Sequence, residues 1–128
     1  MENSPPCPEQ KTLETLHSSI QELQLTAIYL IANQDDLAIS KLKNHFHPKS
    51  KLKSAVTKLS LQLELIPLLH TYLPDLTQSM LILENISKEN KATILLKEAK
   101  KREIVVHTLD VLSATIATIH QQFPHCKQ

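Results

Sequence analysis

The densest set of side chains that could bind a ligand is a group of lysines in the middle of the chain. It comprises Lys41, Lys43, Lys49, Lys51, Lys53 and Lys58, with no acidic residue between Asp36 and Glu64. Lysine binds phosphate as a point charge, so this group could hold a nucleic-acid backbone, an anionic lipid or an acidic protein. The net charge of +1, the absence of arginine from this group and the scarcity of interleaved aromatic residues weaken the case for nucleic acid. The structural alternative is a solvated turn whose lysines stabilise the C-terminal end of the preceding helix.

Zinc is the second ligand that the residue types allow. Its candidate ligands would gather at the same end of the predicted fold: His45, His47, His120, His125 and Cys126. However, His45 and His47 are two residues apart and therefore point to different sides of a helix, and no CxxC or HExxH motif is present. We expect surface histidines, and we predict neither a metal nor a cofactor.

Catalytic machinery is not indicated by the sequence. The chain contains no glycine, whereas phosphate-cradling loops, dinucleotide-binding turns and nucleophile elbows all need it. Cys7 and Cys126 lack neighbours that would activate a thiolate. Asp35 and Asp36 have no histidine or second carboxylate at a spacing that suggests a partner. We therefore predict that the protein is not an enzyme and has no catalytic residues.

Apolar residues recur at alternating spacings of three and four, which is the period of helices packed along a seam. These series predict three long helices over 9–46, 51–87 and 91–123, with residues 33–36 as the place for a bend. Near-equal lengths and short loops favour an all-α, antiparallel up-down-up bundle. The middle helix should be kinked at Pro67 and Pro74, because proline removes a backbone hydrogen bond.

Two alternatives to this architecture follow from the middle of the chain. A true break at Pro74 would give a four-helix bundle instead. Residues 59–65 alternate strictly between leucine and polar residues, as in a half-buried strand, but no second strand is predicted to pair with them. We expect one helical domain over 9–123, a flexible proline-rich leader over 1–8 and a short tail over 124–128.

Extra apolar stripes suggest where a partner binds. Leu25 and Ile28 form a second stripe on the first predicted helix, and Leu61, Leu65 and Leu68 form one on the second. In a three-helix bundle these stripes would lie at similar heights and leave a contiguous exposed apolar surface, which is typical of protein interfaces. We therefore predict a helical protein–protein interaction module, such as an adaptor, a chaperone-like binder or a subunit of a helical complex. Its partner would be another protein or a second copy, and polyanion binding through the lysines is the alternative.

The location expected from the sequence is intracellular and cytoplasmic. No apolar run approaches the ~20 residues that a transmembrane helix needs. The first ten residues have no positively charged region followed by an apolar stretch, so they do not resemble a signal peptide. Two cysteines at opposite ends of the chain favour free thiols in a reducing compartment.

Overall fold

The computed structural model describes residues 8–89 and 98–123, and these form five α-helices, one 3₁₀ segment and no strand. The α-helices are α1 (Gln10–Ile31), α2 (Asp35–His45), α3 (Lys51–Glu64), α4 (Leu73–Lys88) and α5 (Ala99–Gln121). The 3₁₀ segment Pro67–Tyr72 joins α3 to α4. The all-helical class is confirmed, and the stretch that alternates like a strand is helical up to Glu64.

The predicted helix over 9–46 is interrupted at residues 32–34. Asn33 has a φ of 60°, in the left-handed region. Its N–H donates to the carbonyl of Leu30 at 3.1 Å, and the N–H of Gln34 donates to the carbonyl of Tyr29 at 2.8 Å. These two bonds form a Schellman motif, the common end of a helix, with asparagine where glycine is usual. The bend is therefore a complete helix end.

After this end, α2 turns back along α1. The Nζ of Lys41 lies 2.8 Å from Oε2 of Glu22, whereas in one continuous helix the two residues would be roughly 28 Å apart. The prediction of one helix over 9–46 was wrong for this reason. The apolar rhythm continued through the turn and concealed it.

The predicted helix over 51–87 also folds back on itself. The Nζ of Lys53 lies 2.7 Å from Oε1 of Glu84, although a straight helix would separate the residues by about 46 Å. Pro67 begins the 3₁₀ segment, and Pro74 lies in the first turn of α4, where no backbone N–H is needed. The expected kink is thus a break that produces a helical hairpin.

The core is one cluster of apolar side chains drawn from every helix. Helices α1 and α5 pack antiparallel: the start of α5 contacts Leu30 through Arg102, and the ring of His120 lies 6.2 Å from that of His17. Neither the up-down-up bundle of three long helices nor the four-helix alternative is confirmed by this arrangement.

Several sequence predictions fall outside the residues described. They concern residues 1–7 of the leader, the start of the third predicted helix at 91–97, and the tail at 124–128 with His125 and Cys126. The predicted boundaries of leader, domain and tail therefore stay predictions. Within the described ranges, no helix has the length and apolar character required to cross a bilayer.

Candidate functional site

Four leucines in the hairpin of α3 and α4 are largely exposed, and we call them the hairpin leucines. Their exposed fractions are 60% for Leu61, 79% for Leu65, 89% for Leu68 and 57% for Leu81. Leu61 and Leu65 are one helical turn apart and share a face of α3, while Leu63 on the opposite face is fully buried. The sequence predicted three of these as an extra stripe. It missed Leu81, because α4 was not expected beside α3.

Two of the hairpin leucines border a groove between α3 and α4. The groove has a volume of about 330 Å³, and its apolar lining consists of Val56, Leu61, Met80 and Leu81. The ion pair between Lys53 and Glu84 lies at one end of this groove. Residues with hydroxyl groups complete the lining: Thr57, Ser60 and Thr77. An apolar floor between two antiparallel helices is the shape that receives the apolar face of a third helix.

The second predicted stripe lies elsewhere in the molecule. Ile28 is 58% exposed, whereas Leu25 is half-buried. Lys58 of α3 reaches Glu9 at the start of α1, and Ile28 is roughly 28 Å further along that helix. The five predicted partner-binding residues are therefore not brought together as one surface, because α3 is short and lies beside the first half of α1.

The six lysines of the predicted polyanion site are divided by the fold. Lys41 donates to Glu22, and this hydrogen bond raises the pKa of Lys41 and lowers the pKa of Glu22. Lys53 pairs with Glu84, whose side chain is only 12% exposed. Lys43 is exposed on α2. The remaining three line a cavity and are joined there by a lysine from α1.

That cavity, which we call the lysine cavity, lies between α1 and the start of α3. Its volume is about 290 Å³, and its four basic residues are Lys11, Lys49, Lys51 and Lys58. Its other lining residues are Thr12, Thr15, Ser50, Ser54 and Ala55, so no carboxylate borders it. Lys11 was not predicted to belong here, because one continuous helix over 9–46 would place it at the opposite end of the bundle from Lys49.

A neighbouring cavity of about 430 Å³ contains the half-buried His45 at the end of α2. Burial lowers the pKa of His45, and the charge of Lys41 acts in the same direction while that of Glu22 opposes it. In the described part of the chain, Nε2 of His45 is buried without a hydrogen-bond partner. The surroundings of the ring therefore disfavour its protonated, charged form.

Zinc ligands do not assemble among the residues that the structure describes. No group of three or more histidine, cysteine, aspartate or glutamate side chains in those ranges could hold a metal ion. Nδ1 of His47 accepts a hydrogen bond from the N–H of Lys49 at 3.0 Å, which is a local turn contact. His120 lies against His17. The other two candidate ligands, His125 and Cys126, are outside the described ranges.

The only arginine of the chain joins the start of α5 to the turn between α1 and α2. Arg102 donates to both carboxylate oxygens of Asp35, at 2.8 and 3.0 Å, and to the carbonyl of Leu30 at 2.6 Å. Asp35 was considered as a catalytic carboxylate, and the structure places it in this ion pair. Its neighbour Asp36 is exposed.

Comparison with known proteins gives no further assignment, since no family of proteins, no curated protein and no solved structure matches this chain. The geometry of the described residues is therefore the basis on which a function can be proposed. It offers two surfaces with distinct chemistry: an apolar groove in the α3–α4 hairpin, and the lysine cavity between α1 and α3.

Proposed function

We propose that the protein is a non-enzymatic binding module whose α3–α4 groove receives the apolar face of a helix from a partner protein. The observation that carries this proposal is the exposure of four leucines, each by more than half, in one hairpin. An isolated exposed leucine is ordinary on a protein surface, whereas four in one hairpin, two of which border an apolar groove, form a feature typical of interfaces.

The energetics favour a partner of moderate affinity. Full burial of one leucine stabilises by about 1.5–3 kcal/mol. Association costs roughly 4–15 kcal/mol in lost translational, rotational and side-chain freedom. Covering the hairpin leucines would offset much of that cost, and packing of the partner into the groove would supply the remainder.

The shape of the groove supports a helix as its occupant. Two antiparallel helices with apolar residues between them present alternating ridges, and the side chains of a third helix can pack into them. The groove is also lined by Thr57, Ser60 and Thr77. The hydroxyls of Thr57 and Thr77 donate to the carbonyls of Lys53 and Leu73, so toward a bound helix their oxygens can act as acceptors. A second copy of the chain would be one form of such a partner.

Polyanion binding through all six lysines has weaker support than the groove. Lys41 and Lys53 are already paired with Glu22 and Glu84, so a nucleic acid or anionic lipid would have to displace these carboxylates. The absence of catalytic activity and the cytoplasmic location stay predictions from the sequence.

The proposal can be tested by changing two groove residues to glutamate and comparing the result with a matched change elsewhere. The test variant is Leu61→Glu with Leu81→Glu. The control is Leu37→Glu with Ile104→Glu, whose side chains are 50% and 48% exposed on α2 and α5. Both variants add two negative charges at sites of similar exposure, so charge and solubility are matched.

Two measurements apply to the purified proteins. Sedimentation velocity at increasing concentration reports self-association, and quantitative mass spectrometry of proteins retained from an extract of the source cells reports other partners. We expect the unaltered protein to associate with itself or with another protein. The groove variant should abolish this association, and the control variant should retain it. Apolar packing should also respond weakly to salt. A chain that stays monomeric and retains the same proteins in both variants would contradict the proposal.

A further inference from the structure

We infer that the lysine cavity binds a compact ligand carrying two or more phosphate groups. Lys11 comes from α1, Lys49 from the turn before α3, and Lys51 and Lys58 from α3 itself. Residues from separate segments thus contribute four lysines to the lining of one cavity of about 290 Å³. This site is separate from the α3–α4 groove, so the inference does not depend on the proposed helix partner.

The charges around the cavity are poorly compensated. Within residues 8–89 and 98–123, Lys11, Lys49 and Lys51 form no salt bridge. Lys58 approaches Glu9 only to 3.8 Å, and both side chains are exposed, so this pair is weak. Lys51 also borders the adjacent cavity that contains Glu14 and Glu22. Lysines held around one space repel one another, and a multivalent anion would remove that repulsion.

Hydroxyl groups complement the lysines. Thr12, Thr15 and Ser54 line the same cavity and can donate to phosphate oxygens. Ser50 also lines it, but its Oγ donates to the carbonyl of His45 and accepts from the N–H of Lys53. Ammonium and hydroxyl donors without a bordering carboxylate are suited to phosphate rather than to a cation.

The dimensions and composition of the cavity favour a small ligand over a nucleic acid. A volume of about 290 Å³ lies at the lower end of small-molecule pockets. No arginine or aromatic side chain lines it, although these are the groups that recognise bases and stack on them. The same chemistry could come from a free polyphosphate or from the headgroup of a phosphorylated lipid.

Titration calorimetry at low ionic strength would test the inference with pyrophosphate and inositol trisphosphate. The test variant is Lys11→Gln with Lys49→Gln, and the control is Lys100→Gln with Lys101→Gln. The control residues are exposed at the start of α5 and lie far from the cavity along the antiparallel pair α1–α5. Both variants remove two positive charges, and thermal unfolding followed by circular dichroism would verify that each is folded.

We expect saturable binding of one ligand per chain, weakened about tenfold or more by the test variant through loss of charge-assisted hydrogen bonds. The control should bind as the unaltered protein does, and Lys11→Arg with Lys49→Arg should retain binding. Equal weakening in test and control variants would show nonspecific attraction and overturn the inference. Absence of binding to both phosphate compounds would overturn it as well.

Sedimentation with vesicles separates the two sources of the ligand. Vesicles of phosphatidylcholine containing phosphatidylinositol bisphosphate would retain the protein if the ligand is a lipid headgroup. Binding of inositol trisphosphate without binding to these vesicles would identify a free ligand. A duplex DNA that binds more tightly than either phosphate compound, and equally to all variants, would contradict a compact phosphate site.

Discussion

Arg102 and Asp35 form a two-point ion pair across 67 positions of sequence, and it fixes the start of α5 against the turn between α1 and α2. The side chains are only 19% and 15% exposed, so water screens them little. The same guanidinium also bonds the carbonyl of Leu30, one of the last residues of α1. One side chain thus ties three helices together.

Replacing Arg102 by alanine should lower the free energy of unfolding by about 3 kcal/mol, because it leaves a largely buried carboxylate unpaired. Lysine at this position should restore only part of the loss, since an ammonium group cannot form the planar two-point contact. Urea unfolding measures both effects. Lys101→Ala, one residue earlier and exposed, is the matched control. An effect of equal size in that control would show that the ion pair is not responsible.

Position 33 should accept glycine without a loss of stability, whereas alanine there should destabilise the protein. The φ of 60° at this position costs a residue with a Cβ roughly 1–2 kcal/mol, less for asparagine and little for glycine. We therefore expect Asn33→Ala to lower the free energy of unfolding by about 1 kcal/mol, and Asn33→Gly to leave it unchanged or raise it. Gln34→Ala, at a φ of −93°, is the control and should have little effect. Equal stability of the alanine and glycine variants at position 33 would contradict this explanation.

His45 should make the protein less stable as the pH falls. Burial lowers its pKa in the folded state below the ordinary value of 6.5, so the unfolded chain binds the proton more readily. The resulting loss in the free energy of unfolding is absent well above pH 6.5, and it grows as the pH falls from 6.5 through the folded-state pKa. Glu22 acts at lower pH, because its pKa is lowered from 4.5 and its stabilisation disappears on protonation.

Urea unfolding at a series of pH values would measure this dependence. We expect His45→Gln to flatten the loss of stability just below pH 6.5, above the range in which Glu22 is protonated. His107→Gln, with an exposed ring on α5, should leave that loss unchanged. Parallel curves for the unaltered protein and His45→Gln would exclude His45 as the cause.

Replacing Leu63 and replacing Leu65 should have very different effects on stability, although Leu63 lies in the last turn of α3 and Leu65 directly follows that helix. Leu63 is fully buried and Leu65 is 79% exposed. Leu63→Ala should lower the free energy of unfolding by about 3 kcal/mol through lost packing and a residual cavity. Leu65→Ala should change it by less than about 0.5 kcal/mol. Thermal and urea unfolding would measure both, and a large loss in Leu65→Ala would mean that this side chain is packed rather than available to a partner.

The sequence predicted much of the helical content and several buried faces. In α5, the residues in heptad phase are buried as expected: Val105, Leu109, Leu112, Ile116, Ile119 and Phe123. In α1, Leu13, Leu16 and Leu30 behave in the same way. Periodicity succeeds there because each helix is long and packs along one seam. Periodicity also identified apolar residues outside the main seams, and four of them are exposed: Ile28, Leu61, Leu65 and Leu68.

The first chain reversal was predicted only as a bend and the second as a kink, with a break at Pro74 as the alternative, because the apolar spacing continued through residues 33–36 and 66–73. Leu37 is in phase with α1, yet it is 50% exposed, whereas Ala38 and Ile39 are buried. The signal for the first reversal was Asn33, which can adopt the left-handed conformation in a chain without glycine. His70 is likewise in phase with the leucines of the predicted second helix, yet it is exposed, with Nε2 2.7 Å from the carbonyl of Glu64.

The lysine cavity and the α3–α4 groove depend on these reversals and could not be predicted without them. Lys11 and Lys49 line one cavity only because α2 turns back along α1 and returns the chain to the first half of that helix. Leu81 lies beside Leu61 only because the chain breaks between α3 and α4. Residue types indicated which chemistry was available, while contacts distant in sequence decided which residues share a site.

The ion pair between Lys53 and Glu84 limits how much of a partner the α3–α4 groove can hold. It lies at one end, and Leu61 is the last residue of α3 that lines the groove, so the groove follows this helix over roughly 12 Å, or about two turns. A partner helix bound as proposed would therefore contact the groove over only about two turns, and the ion pair would lie at one end of that contact. Contacts this short belong to the smaller class of interfaces, whose complexes exchange readily. The groove thus suits a partner that binds and departs rather than a permanent subunit.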